Sequence, residues 1–197
     1  QDWELIIEDG LSKDETLSIV KEYEPKCQGR MRIFSEKDNG LYDAMNRGIA
    51  RATGDVIGIL NSDDFYYDEN VLSEINNAME NQPVDCVYGN LMFVDADYTD
   101  RTVRLWKGSQ HEKGAFLRGW HPAHPTFYAR RKCYEMLGSF NTKYAVSADF
   151  ELMLRFIEVA GLRNRYVNRF FVRMRMGGES TKSLRNIIRG NRSILEA

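Results

Sequence analysis

The chain has 197 residues, 43% of them hydrophobic, enough for one well-buried core and short for two. Lys and Arg number 27 against 29 Asp and Glu, and a net charge of −2 gives no general electrostatic attraction to nucleic acid. Three cysteines, Cys27, Cys86 and Cys133, odd in number and without metal-type spacing, argue against a disulfide framework and for a reduced, cytosolic setting. No apolar run approaches the roughly 18 residues of a spanning helix. The charge is unevenly placed: residues 155–197 carry 10 Lys/Arg and 3 Asp/Glu, net +7, against net −9 for the first 154.

Trp3 to Gly10 reads as a buried strand ending in Asp9 and a glycine, after which Ser12, Asp14 and Thr16 introduce a helix to about Tyr23. A turn at residues 25–29, a short strand at 31–34 and a loop at 36–40 follow. Leu41, Met45, Ile49 and Ala52 recur at helical spacing and predict a helix over 41–52, closed by Gly54. Next comes GDVIGILNSDD, in which an apolar run broken by Gly58 gives way to Asn61, Ser62, Asp63 and Asp64, the pattern of a buried strand ending at a polar site. This β-α-β-α-β alternation implies a parallel, doubly wound sheet whose ligands sit outside the carboxyl ends of the strands. Adjacent carboxylates at such an end repel each other unless a cation or full solvation accommodates them, so a divalent metal, Mn2+ or Mg2+, is one reading of Asp63 and Asp64. A polar turn capping the next helix is the other.

Beyond this point a helix is expected at 71–80, a strand at 84–89, an irregular hairpin-like region at 91–105 and a helical segment at 112–118. Trp120 to Arg131 then places two His-Pro pairs ahead of a strand-like TFYA, where prolines fix a loop. His124 there offers a further metal or phosphate contact, imidazole suiting manganese better than magnesium, while a histidine beside proline is more commonly a loop hydrogen-bonder. A short helix at 132–137 precedes Ser147, read as the cap of an amphipathic helix carrying Leu152, Met153, Phe156 and Ile157. A strand at 170–176 leads to Gly177 and Gly178. Arg173, Arg175, Gly177, Gly178 and Ser180 make either a basic loop able to close over phosphates or a hairpin turn flanked by solvated arginines. Residues 183–196 read as a basic amphipathic helix, docked on the body or a second subunit, or making reversible peripheral contact with an anionic membrane at its inner face. Asp43 and Asn46, one helical turn apart, read as braces for the 36–40 loop through Asp38.

IIEDGLSKDET, NGLYDAMNRGIARATGDVIGILNSDD, HPTFYARR, SADFELMLRF and MRMGGES stand in the order and spacing of the inverting nucleotide-sugar glycosyltransferases of family two, and the chain resembles their bacterial polysaccharide and colanic-acid-type branch from about Trp3 to its end. The resemblance implies the α/β GT-A fold: a doubly wound, Rossmann-like, mostly parallel sheet with helices on both faces, spanning residues 1–182, with the basic helix 183–197 part of that domain or the start of an extension. It also implies a first strand and helix upstream of Trp3. Function would be sugar transfer, with inversion, from a nucleotide-diphosphate sugar to a hydroxyl of a glycan or lipid-linked acceptor in cell-surface polysaccharide biosynthesis.

By the same resemblance Asp9 contacts the base or ribose, and Asn61, Ser62 and Asp63 occupy the Asp-x-Asp position, with Asp63 as metal ligand, shared in part with Asp64. Asn61 replaces the first acid of that motif, keeping an acceptor and removing a charge. Asp149, in SADF, falls where the resembling enzymes place the general base, although acids are favoured in a first helical turn by the helix dipole in any case. Two other readings share these strand-end acids: a nucleotidyltransferase or phosphohydrolase, against which the SADF acid and the absence of a P-loop speak, and a non-catalytic sugar-binding module.

Overall fold

The computed structural model describes residues 2–144 and 146–177. Strand β1 (Leu5–Asp9), helix α1 (Thr16–Tyr23), strand β2 (Met31–Ser35), helix α2 (Leu41–Arg51) and strand β3 (Val56–Gly58) realise the predicted alternation. The chain continues through β4 (Phe65–Tyr66), α3 (Val71–Glu80), β5 (Cys86–Val94), β6 (Thr102–Trp106), β7 (Tyr128–Arg130), α4 (Arg131–Leu137), α5 (Ala148–Met153) and β8 (Asn164–Arg175).

Strand β1 pairs in parallel with β2, from Leu5 opposite Met31 to Asp9 opposite Ser35. The other six strands form a mixed sheet in the order β3-β7-β5-β8-β4, with β6 on β5. Here the mostly parallel expectation is corrected: β5–β8 is the parallel pair of this sheet, and the remaining ladders are antiparallel. A parallel neighbour needs a long crossover, whereas β5 turns back into β6 through a short connection and β7 runs against both β3 and β5. Among the described residues no ladder joins the β1–β2 pair to the larger sheet.

The core lies on both faces of that sheet, as period-two alternation demands. Cys86 and Tyr88 of β5 pack with Met45 and Ile49 of α2, Cys133 of α4 and Leu152 of α5, while Val87 and Leu91 pack with Ile75 and Met79 of α3. Each such side chain, fully buried, contributes roughly 1.5–3 kcal/mol. Gly58, which interrupts the apolar run of β3, is required by this packing: a Cβ there would stand 1.9 Å from the Tyr128 ring of the adjacent strand.

Two local expectations change. Residues 112–118 wind into a single 3-10 turn, Phe116–Arg118, bounded by Gly114 and Gly119 with φ of 78° and 79°. Ser147 occupies the N-cap position of α5, but its side chain makes no capping bond and its buried Oγ has no partner. The helix also does not run on as a regular amphipathic one, because Leu154–Val159 forms a π-helical stretch. Among the described residues no helix is long and apolar enough to cross a membrane. Gly178, Ser180, the boundary at 182 and the basic segment 183–197 lie outside the described residues.

Candidate active site

A cleft of about 1820 Å3 separates β1 from β3. Leu5 and Ile6 form one wall and Ile57 and Leu60 the other, while Ala44 and Gly48 of α2 and Ile75 of α3 line it further. At the start of β1, Glu4 ties these walls together. Its Oε1 accepts the N–H groups of Thr53 at 2.6 Å and Gly54 at 2.8 Å, and its Oε2 accepts Arg32 at 2.7 Å. Burial works against the charge, yet these donors hold the Glu4 carboxyl down at about 2.

Asn61, Ser62, Asp63, Arg175 and Gly177 line the same cleft. Asp63 is exposed, and Asp64 beside it is only 8% exposed. The Asn61 amide donates to Asp64 Oδ2 at 3.0 Å, whereas Asp64 Oδ1 is buried without a partner. Burial, aided by the charge of Asp63, pushes the Asp64 carboxyl up to about 6. Asn61 at the first motif position is thus an internal donor to Asp64. Arg175 exposes its side chain along the cleft, and its backbone N–H reaches Asp64. Arg173 is placed differently, with its guanidinium over the Tyr67 ring at 4.8 Å and its buried Nε unpartnered.

Asp9 closes β1 with 7% exposure. Its carboxylate accepts the Ser12 N–H at 3.2 and 3.3 Å and the Ser35 hydroxyl at 2.6 Å, and hydrogen bonds from Ser12 and Ser35 hold it below the usual carboxylate range. Asp38 approaches so closely that a Cβ on Gly10 would meet its Oδ2, so a larger residue there would push the Asp38 carboxylate aside. Asp43 braces that loop as expected but through Asn39, whose N–H it accepts at 2.9 Å. Asn46 does not join it; its side chain accepts the Phe140 N–H at 2.8 Å and donates to the Phe140 carbonyl at 2.9 Å.

Asp149 belongs to a separate group. The Tyr42 hydroxyl lies 3.0 Å from Asp149 Oδ1, and the two groups come from α2 and α5. His124, from the 3-10 turn His124–Thr126 ahead of β7, stands edge-on to Phe140. Burial pushes its imidazole below the ordinary value, with the charge of Asp149 acting the other way. His124 and Asp149 are not among the residues lining the cleft. Helix α2 is the element common to both places, giving Ala44 and Gly48 to the cleft and Tyr42 to Asp149. Met45 and Ile49 of the expected stripe are buried and Ala52 packs against the core, but Tyr42 takes the place of Leu41, which is 57% exposed and faces the cleft. Tyr42 itself went unread in the sequence, although 42, 45 and 49 fit a helical face as well as 41, 45 and 49.

Asp63 and Asp64 suit a hard divalent cation: both offer carboxylate oxygens, and one buried oxygen lacks any donor. Among the described residues no three His, Cys, Asp or Glu side chains converge on a metal-sized site, so further ligands would come from diphosphate oxygens and water.

Solved structures define the class. The fold matches that of S. aureus TarS in complex with UDP, with a TM-score of 0.69 over 97% of this chain and 54% of that one at 16% identity. It likewise matches the mannosyltransferase PcManGT from Pyrobaculum calidifontis in complex with GDP-Man and Mn2+, with a TM-score of 0.66 over 98% of this chain and 55% of that one at 16% identity. This is the GT-A glycosyltransferase fold. The chain belongs to glycosyl transferase family 2, whose model matches residues 1–138. A PGL/p-HBAD biosynthesis glycosyltransferase of Mycobacterium bovis is 32% identical over 168 residues, 85% of this chain. The match spans 63% of that relative's length.

Proposed function

We propose that the protein transfers a sugar from a nucleotide-diphosphate sugar to a hydroxyl of a glycan or lipid-linked acceptor, with inversion. The supporting observation is a division of labour among carboxylates. Asp63 lines the cleft with the under-bonded Asp64 next to it in the chain, while Asp149 stands apart with one hydrogen-bonded oxygen. In this reading Asp63, with a share from Asp64, holds a manganese or magnesium ion, which when bound neutralises charge developing on the diphosphate. The complex of PcManGT that contains Mn2+ supports that choice. Asp9 presents its braced carboxylate to the base or ribose, Asn61 and Ser62 line the donor's path, and Arg175 contributes positive charge beside the diphosphate. Arg173 supports that edge through Tyr67.

Asp149 is the general base. A hydroxyl is a poor nucleophile at neutral pH, and a carboxylate within reach takes its proton as the oxygen attacks the anomeric carbon opposite the departing diphosphate. One base then suffices for a single displacement. The reading is tested on the full-length protein with Asp149→Asn. Nucleotide-sugar binding should persist while transfer falls by roughly two to four orders of magnitude, the range for a lost general base. Transfer within about tenfold of the parent would leave Asp149 only a helix-terminal acid.

A further inference from the structure

We infer that Tyr42 is a positioning residue for the base, its single hydroxyl proton shared between Asp149 Oδ1 and the carbonyl oxygen of Val146 according to whether Asp149 is ionised. The inference rests on the reading of Asp149 as general base. The two acceptors stand at equal distances from the hydroxyl, 3.0 Å to Asp149 Oδ1 and 3.0 Å to Val146 O. One phenol has one proton, so it serves one acceptor at a time. Burial, with the charge of Asp149 added, pushes the Tyr42 phenol well above its ordinary value, so it stays protonated and acts here as a donor.

The hydroxyl cannot drift away from this fork. Tyr42 is 9% exposed, its ring stacks on Phe140 with centroids 5.4 Å apart, and Phe140 is held through both backbone groups by Asn46, one turn along the same helix. His124 is a further titratable group near Asp149, kept toward its neutral form by burial, and on α5 itself Glu151 is engaged by Arg155 at 2.8 Å.

In the resting enzyme the proton points at the ionised carboxylate, where a hydrogen bond to the charged form is worth more than one to a neutral carbonyl. During transfer the acceptor oxygen bonds to the anomeric carbon, the bond from that carbon to the diphosphate breaks with its electron pair leaving on the diphosphate, and the acceptor's proton passes to Asp149. A protonated carboxyl needs the donor less. The Tyr42 proton turns to Val146 O, so the hydroxyl is never left without a partner. Tyr42 neither gains nor loses a proton. Its effect is to favour the ionised base before each turnover.

The test is the pH profile of kcat/KM in the full-length protein. Tyr42→Phe keeps the ring and its stacking but removes the donor, so the acid limb should move up by about one pH unit, giving a roughly tenfold lower rate below the limb and a near-parental rate above it, with donor KM unchanged within about twofold. Site-specific replacement of Tyr42 by 3,5-difluorotyrosine, a stronger donor, should move the limb down, a response that a purely structural role would not give. A limb that stays in place in both variants while Asp149→Asn is inactive overturns this inference alone. An active Asp149→Asn overturns the base assignment and this inference with it.

Discussion

Strands β1 and β3 each hand the chain over to an acid, and the two acids are held in opposite ways. Asp9 is buried but receives the Ser12 N–H and the Ser35 hydroxyl, and its carboxyl sits below the usual range. Asp64 has a similar exposure, receives the Asn61 side-chain amide and is reached by the Arg175 backbone N–H, yet keeps an oxygen without a hydrogen-bond partner and is raised by burial to about 6. The exposures are close, 7% and 8%, but desolvation dominates at Asp64, whereas at Asp9 the hydrogen bonds from Ser12 and Ser35 outweigh it. A fully bonded acid is a fixed acceptor that needs nothing further. An under-bonded acid beside a second, exposed one is a place where a cation gains what the protein does not supply.

The largest effect that would break this contrast lies at Asp63. Asp63→Ala should weaken nucleotide-diphosphate binding in manganese by about a hundredfold or more, since a hard cation supplies several kcal/mol to such charge, whereas Asp9→Asn should leave the manganese dependence in place. Calorimetry with and without manganese reads both, and the same loss of metal dependence in the two variants would erase the distinction between the strand ends. Next is Asp64→Asn, which removes a buried charge that lacks a full set of donors. It should stabilise the metal-free protein at pH 7 by about 2 kcal/mol in denaturant unfolding and abolish any stabilisation by manganese. Destabilisation in the metal-free state would mean that Asp64 is already well served.

A smaller effect sharpens the contrast from the far end of the cleft. Glu4 joins β1 to the entry of β3 through Thr53 and Gly54, and its pKa falls from 4.5 to about 2. Its folded pKa is lowered, so its contribution is present above about pH 4.5 and is lost as pH falls toward about 2. Glu4→Gln should therefore lower stability at pH 7 by about 1.5 kcal/mol, the scale of hydrogen bonds to a charged group, and flatten the acid limb of the stability curve. An unchanged curve would show that the Glu4 tie does not stabilise the fold.

Much of this arrangement was legible in the sequence, because it is carried by local patterns. The run from Val56 to Leu60 located β3, although the strand stops at Gly58 and Leu60 is exposed, and the β-α-β alternation located α2. What was not legible depends on distant partners. That β7 runs antiparallel between β3 and β5 follows from tertiary pairing of a three-residue strand, which no period reveals. That Asn46 holds Phe140 and Tyr42 reaches Asp149 depends on contacts 94 and 107 residues apart in the chain. Ser147 had the right residue type for a cap, yet with φ of −131° and ψ of 28° at that position its hydroxyl makes no bond to the helix.

A single displacement assisted by one base inverts the anomeric centre, so the stereochemistry of the product reports on it. With the full-length protein and whichever donor it turns over from a panel of nucleotide-diphosphate sugars, proton NMR of the first-formed product reports the anomeric configuration. A configuration opposite to the donor's is expected in the parent, with transfer slower by roughly two to four orders of magnitude in Asp149→Asn. Retention of the donor's configuration would contradict it, because retention requires a second displacement or front-face attack, in which Asp149 as the sole base has no part.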